Sequence, residues 1–254
     1  MKPLNDQFDV ERFFARLAAA RRRVLLLDYD GTLAPFHIDP RLALPYPNVC
    51  NVLRRIATSD TRIVIVSGRR LEDLRAPLAM LPHTEVWASH GWEWTSGGVV
   101  DRHVPSSGAR AMLTRARALV APMLVPGARL ETKLASVAVH WRGLRPPVST
   151  RLHAATLEAW EGLVNGELAL LNFDGGLEIR AQGHDKGDAV RAVLAAEEDA
   201  VCAYLGDDFT DEDAFEAIRP HGVGVLVREA PRKSAADLWL SRPHGLTAFL
   251  ERWA

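Results

Sequence analysis

The sequence is short of several features that would assign it to a class at once. No apolar run approaches the roughly 20 residues that a membrane-spanning helix needs. Residues 1–23 are polar and then amphipathic, without the apolar centre of a secretory signal. Together these absences lead us to expect a cytoplasmic protein with no membrane partner. Cysteine is scarce: Cys50 and Cys202 are the only two, and both fall in apolar helix or strand contexts where buried thiols are expected rather than a disulfide. Charge of one sign is also lacking. Lys and Arg total 31 against 32 for Asp and Glu, so no global field recruits nucleic acid, and an anionic ligand has to be caught locally. Arg21, Arg22 and Arg23 read as a solvated helix end that complements the helix dipole. There is no low-complexity tract, and no repeat beyond a loose likeness between two αββ segments.

What is present centres on residues 24–33, Val-Leu-Leu-Leu-Asp-Tyr-Asp-Gly-Thr-Leu. Four consecutive apolar residues suit a strand covered on both faces, as in a parallel sheet flanked by helices. Ligands of such sheets bind beyond the carboxyl ends of the strands, where Asp28 and Asp30 emerge. Side chains two apart in extended backbone point the same way, so two anions are held close and one needs a cation or a proton. Phosphoryl transfer uses such a pair: one ionised carboxylate attacks phosphorus and the other carries a proton to the leaving oxygen. Asp28 capping a turn made by Asp30 and Gly31 accounts for the same residues, and this segment alone leaves the two readings even.

The pattern then alternates: a proline-rich loop, a helix near 49–58, a strand at 62–66 ending in Ser67-Gly68-Arg69, a helix over 70–80, and a strand at 85–88. This predicts a doubly wound, mostly parallel α/β core. Some 115 residues separate Arg69 from Lys186, far more than the dozen or so a simple crossover needs, which predicts an insertion. It reads αββαββ: helices over 107–121 and 150–164, strands near 129–133, 136–142, 167–173 and 177–181, with a hairpin at Asp174-Gly175-Gly176. We therefore expect a core at 1–102 and 183–254 and an α+β cap at 103–182. Alternation puts Val137, Val139 and Trp141 toward the helices and Ser136, Ala138, His140 and Arg142 on an open face, which in most such sheets is simply wet. The core resumes with a helix at 186–196, a strand at 201–205, a helix over 211–218 opened by a Thr210/Asp213 capping box, a strand at 223–227, and a short strand and helix within 238–253.

A second acidic cluster follows the strand at 201–205, Gly-Asp-Asp-Phe-Thr-Asp-Glu-Asp at 206–213. Helix capping explains Asp211 and Glu212. Asp207 and Asp208 sit at the same sheet edge as Asp28, and Asp28 with Asp207 would suit Mg²⁺, which takes few protein carboxylates and accepts phosphate oxygens. Lys186 is the candidate counter-charge for a phosphate, and Ser67 and Gly68 could offer a hydroxyl and a backbone N–H.

The set of DYDGTL at 28–33, SGR at 67–69, Lys186 and GDDFTDEDAF at 206–215 resembles the four motifs of haloacid dehalogenase superfamily phosphatases. More narrowly, Ser-His-Gly-Trp-Glu at 89–93, Glu-Thr-Lys at 131–133, Val-His-Trp-Arg at 139–142 and Leu-Glu-Ile-Arg at 177–180 resemble trehalose-6-phosphate phosphatases; Trp92, Leu134 and His184 depart from that pattern. The resemblance implies that Asp28 is the nucleophile and Asp30 the general acid and base, and that Ser67 and Lys186 hold the phosphate. It implies Mg²⁺ bound by Asp28, the main-chain carbonyl of Asp30 and Asp207, with Asp208 and Asp211 in support. Cap residues Glu131, Lys133, Arg142 and Glu178 would hydrogen-bond the far glucose ring, and closure of the cap would expel water. The expected protein is thus a monomeric phosphatase of trehalose 6-phosphate. The rivals are a phosphatase of another disaccharide or pseudo-disaccharide phosphate, and a sugar-phosphate sensor without turnover.

Overall fold

The computed structural model describes residues 1–82, 84–197 and 199–254. It divides into two compact units, Met1–Asp101 with Asp185–Ala254, and Arg102–His184. The first opens with β1 (Lys2–Pro3) and α1 (Val10–Ala19), capped by the Asp9 carboxylate and burying Phe13, Phe14 and Leu17. β2 (Arg23–Leu27), α2 (Pro47–Ile56) and β3 (Thr61–Val66) follow as expected. The helix anticipated over 70–80 is only α3 (Leu71–Leu74). Pro77 stops it, because its ring nitrogen has no hydrogen to donate and it disfavours helical backbone before it. After β4 (Glu85–Ala88) come two strands the sequence reading did not anticipate, β5 (Glu93–Ser96) and β6 (Val99–Arg102). Gly97 and Gly98 between them both have positive φ, 58° and 83°, the backbone a tight hairpin turn requires.

The second unit is α4 (Ser107–Val120), β7 (Arg129–Thr132), β8 (Ser136–His140), α5 (Pro146–Glu161), β9 (Leu168–Phe173) and β10 (Gly176–Ala181). Its antiparallel sheet runs β7-β8-β10-β9, and α4 and α5 pack against β8 and β10. The register sets Val137 opposite Ile179 and Val139 opposite Leu177; all four are buried. α5 begins four residues before the expected start. Pro146 and Pro147 occupy its first turn, where the fixed φ suits a helix and the missing N–H has no partner to lose.

The chain returns through α6 (Lys186–Leu194), β11 (Val201–Gly206), α7 (Glu212–Ile218), β12 (Gly222–Val227), β13 (Leu238–Leu240) and α8 (His244–Trp253). The nine-stranded sheet is ordered β1-β13-β12-β11-β2-β3-β4-β5-β6, parallel from β13 to β4. Leu25, Leu27, Ile63, Ile65 and Leu205 face one buried layer with α1, α2 and α8. Val24, Leu26, Val64, Val66 and Tyr204 face the other, with α6 and α7. Burial on both faces is why β2 reads as an unbroken apolar run. Among the described residues no helix is long and apolar enough to cross a membrane.

Candidate active site

β2 pairs in parallel with both β11 and β3, so these strands deliver their carboxyl ends to one edge. Asp28 follows β2 directly, its N–H donating to the Leu205 carbonyl at 2.8 Å, and Asp207 follows β11. The turn after Asp28 closes through the carbonyls of Tyr29 and Ala34, bonds in which the Asp30 carbonyl takes no part. Gly31, at φ 84°, lies so close to Asp207 that an added Cβ would sit 2.1 Å from its Oδ2, so only glycine fits.

Lys186 opens α6, whose N-terminus is fixed by a reciprocal capping box between Asp185 and Asp188. Its Nζ donates to Asp28 Oδ1 and to Asp211 Oδ1, both at 2.7 Å. Asp211 also accepts from the Tyr204 hydroxyl at 2.6 Å and from the N–H groups of Asp207 and Asp208, both at 2.9 Å. A carboxylate has about four acceptor positions, and those of Asp211 are filled. It therefore positions Lys186 and the 207–208 backbone. Although Asp211 is buried, Lys186 and these donors hold its carboxyl below the ordinary value. Asp208 caps the following turn through a reciprocal box with Asp211, replacing the Thr210/Asp213 box expected from sequence. The earlier aspartate wins because the chain bends immediately after β11, before an α-helix has begun.

One oxygen each from Asp28, Asp207 and Asp211 lies within 4.8 Å of the others. Burial first, then the neighbouring acids, raise Asp207 well above a normal carboxyl. Burial also lifts Asp28 to about 7 against the pull of Lys186. Asp207 Oδ1 is buried and has no hydrogen-bond partner among the described residues. A divalent ion would relieve both costs, and an all-oxygen set of few carboxylates fits Mg²⁺. With Asp211 saturated, Asp28 and Asp207 are the side chains able to ligate it.

Asp30 points to a different partner. Arg69 grips it with two hydrogen bonds of 2.7 Å, Nε to Oδ2 and Nη2 to Oδ1. Sequence reasoning quoted Arg69 within a motif but gave it no role. Ser67, buried, accepts the Arg69 N–H on its hydroxyl at 3.2 Å. Gly68 lies against the His90 imidazole, 2.5 Å from where its Cβ would be. Ser89 and His90 carry positive φ, 50° and 58°, which costs non-glycine residues roughly 1–3 kcal/mol each. Bonds from Ser89 N–H to the Arg69 carbonyl (2.7 Å) and from His90 N–H to the Ser67 carbonyl (3.0 Å) hold them there. Three further arginines were also missed. Arg228 and Arg232 donate to the carbonyls of Asp207 and Asp208 at 3.0 and 2.7 Å, and Arg242 donates to that of Gly31 and stands 3.7 Å from Asp207 Oδ2. They follow β12 and β13, far along the chain, so no local spacing marks them.

In the second unit Glu131, Lys133 and Glu178 gather on the face away from the helices. Glu178, buried, accepts from Ser136 Oγ at 2.6 Å and Lys133 Nζ at 3.1 Å. Ser136, Ala138 and Glu178 on this face are buried, while Glu131, Lys133 and His140 beside them are partly exposed. Glu131 lies 2.6 Å from His140 Nε2 and 3.4 Å from Arg129. The two partners do not shift in complementary senses. Burial opposes charge on both, yet His140, Lys133 and Arg129 together depress Glu131, while burial keeps His140 below its usual value. A neutral imidazole donating to a carboxylate satisfies both. Arg142 stands apart at the hairpin, bonded to the Asp174 side chain at 2.9 Å and to its carbonyl. His184 stacks on His103 at 3.7 Å.

A family model described as trehalose-phosphatase matches residues 26–243. The chain belongs to the trehalose-phosphatase family. A bifunctional trehalose-6-phosphate synthase/phosphatase of Thermoproteus tenax is 30% identical over 256 residues, 97% of this chain and 34% of that protein. A trehalose-phosphate phosphatase of Mycobacterium tuberculosis is 32% identical over 247 residues, 92% of this chain and 62% of that protein. The chain thus spans less than two thirds of either relative. The solved C-terminal domain of a trehalose-6-phosphate phosphatase of C. albicans superposes with a TM-score of 0.83 at 21% identity, covering 100% of this chain and 99% of that one. The haloacid dehalogenase-like α/β architecture expected from the sequence is the architecture of this trehalose-phosphatase family member.

Proposed function

We propose that the chain hydrolyses trehalose 6-phosphate to trehalose and inorganic phosphate through an aspartyl-phosphate on Asp28. The observation that carries this reading is the buried junction of Asp28, Lys186, Asp211 and Asp207 at one sheet edge. An Asp28 oxygen attacks phosphorus as the bond to the sugar oxygen breaks and Asp30 supplies that oxygen's proton. Water then adds to the same phosphorus, Asp30 takes its proton, and the acyl-phosphate bond to Asp28 breaks. Lys186, touching Asp28, offsets anionic repulsion as the phosphate arrives, while Ser67 and the Gly68 N–H orient its remaining oxygens. Mg²⁺, held by Asp28, Asp207 and the Asp30 carbonyl, would supply further charge neutralisation on the transferred group. Asp208 and Asp211 support these ligands from behind.

Glu131, Lys133, Arg142 and Glu178 are the proposed sugar-binding groups. In favour, Glu131, Lys133 and Glu178 share one face, where charged side chains with several acceptors and donors suit hydroxyls. The protein is taken to act as a cytoplasmic monomer on a small-molecule substrate, and its two free cysteines suit a reducing compartment.

The test is phosphate release from trehalose 6-phosphate, sucrose 6-phosphate and glucose 6-phosphate, with and without a chelator. Trehalose 6-phosphate should lead by at least about tenfold in kcat/KM, and the chelator should abolish turnover. Comparable turnover of glucose 6-phosphate would overturn the substrate, and binding without release of phosphate would make the protein a sensor.

A further inference from the structure

We propose that Arg69 is the positioning residue of the proton-transfer step, fixing the carboxylate plane of Asp30 so that it meets the leaving oxygen. The inference rests on the reading of Asp30 as general acid and base, and goes beyond it by naming what aims that group. The two catalytic aspartates are held in different ways. Asp28 faces an ammonium, a compact charge that can swivel among acceptors. Asp30 faces a planar fork whose two parallel bonds, both 2.7 Å, fix the orientation of the carboxylate as well as its place. Each Asp30 oxygen keeps a second acceptor position for a travelling proton.

Arg69 is itself held rigidly. Its side chain is only 9% exposed, and its guanidinium lies 4.7 Å from the centroid of the Tyr29 ring. That ring is buried and tied by its hydroxyl to the Ala43 carbonyl at 2.7 Å. The Arg69 backbone is fixed at both ends, by Ser67 Oγ and by the Ser89 N–H. The strained left-handed pair Ser89-His90 therefore supports the arginine backbone as well as closing the loop around Gly68. A group braced from so many sides is suited to hold another within the narrow tolerance that proton transfer demands.

The consequence is specific to leaving groups that need a proton. A sugar alkoxide must be protonated as it departs, whereas p-nitrophenolate leaves without help, and positioned general acids are worth roughly 10²–10⁴-fold. With enzyme in excess over substrate, release of the alcohol reports only the first step. Wild type, Arg69→Lys and Arg69→Gln are compared in this way on trehalose 6-phosphate and p-nitrophenyl phosphate. Both variants should slow sugar release by at least about 30-fold and p-nitrophenolate release by less than about threefold. Arg69→Lys, which keeps the charge and loses the fork, should fail nearly as fully as Arg69→Gln. Equal losses on both substrates, a loss confined to substrate affinity, or rescue by lysine would overturn the proposal. Wild type inactive on both esters would instead overturn the functional reading beneath it.

Discussion

Each unit of the molecule buries a carboxylate against a lysine, yet the two are balanced differently. In the core, Asp28, Asp207 and Asp211 face one buried ammonium, that of Lys186, with the Arg242 guanidinium only at the margin, 3.7 Å from Asp207. In the inserted unit, Glu178 has Lys133 and Ser136, and Glu131 has Arg129 and a neutral His140. In the second set each carboxylate has a basic partner of its own. The first is short of positive charge, and the shortage falls on Asp207, whose Oδ1 has no hydrogen-bond partner among the described residues, and on Asp28, which burial lifts to about 7. A site short of positive charge is poised to take a cation and an electrophile, whereas one with its carboxylates paired can exchange hydrogen bonds with hydroxyls at little cost.

The sharpest test of this contrast is Asp28→Asn. It should lower turnover by at least about 10⁴-fold, while thermal unfolding of the metal-free protein shifts little or rises, because one of three crowded carboxylates has lost its charge. Residual activity within tenfold of wild type would remove the covalent mechanism. Next in size is a pair of lysine deletions. Lys186→Met strands two buried carboxylates, and breaking a buried ion pair costs about 3–5 kcal/mol. Lys133→Met leaves Glu178 its serine and should cost about 1–3 kcal/mol. Denaturant titration of both variants decides the matter, and equal losses would break the comparison.

Much of this was legible in the sequence because each core motif sits where an apolar strand runs out. Asp28, Ser67 and Asp207 could be read as sheet-edge residues from β2, β3 and β11 alone. The alternation that put Glu178 opposite Leu177 and Ile179 likewise survives in the register of β10. Arg69 illustrates what was not legible, since its value lies in facing Asp30, 39 positions away, and no spacing rule reports that pairing. Arg228, Arg232 and Arg242 are harder still, because they act on carbonyls, which carry no sequence signal. The edge strands β5 and β6 could have been read, since Gly97-Gly98 between short polar-apolar runs is a hairpin signal. The short α3 shows the opposite error, an apolar helical period carried through Pro77.

The smallest effect expected is on the pH dependence of stability, and it lies on the inserted unit's side of the comparison. Glu131 is depressed below its ordinary 4.5, so its contribution is fully present above pH 4.5 and fades only as pH falls through its lowered folded value. His140 is also depressed, below 6.5. A histidine kept neutral by the fold binds its proton more readily when unfolded, so stability falls as pH drops below 6.5. Between pH 7 and 5, therefore, His140 rather than Glu131 sets the slope of this cluster, with a ceiling of one proton, about 1.4 kcal/mol per pH unit. His140→Gln keeps an N–H for Glu131 and cannot titrate. Denaturant unfolding at several pH values should show a shallower loss of stability in the variant between pH 7 and 5, and the same slope as wild type above pH 7. An unchanged slope below pH 6.5 would mean that His140 is protonated in the folded protein, in which case the Glu131 pair is ionic and the charge balance drawn for this unit is wrong by one.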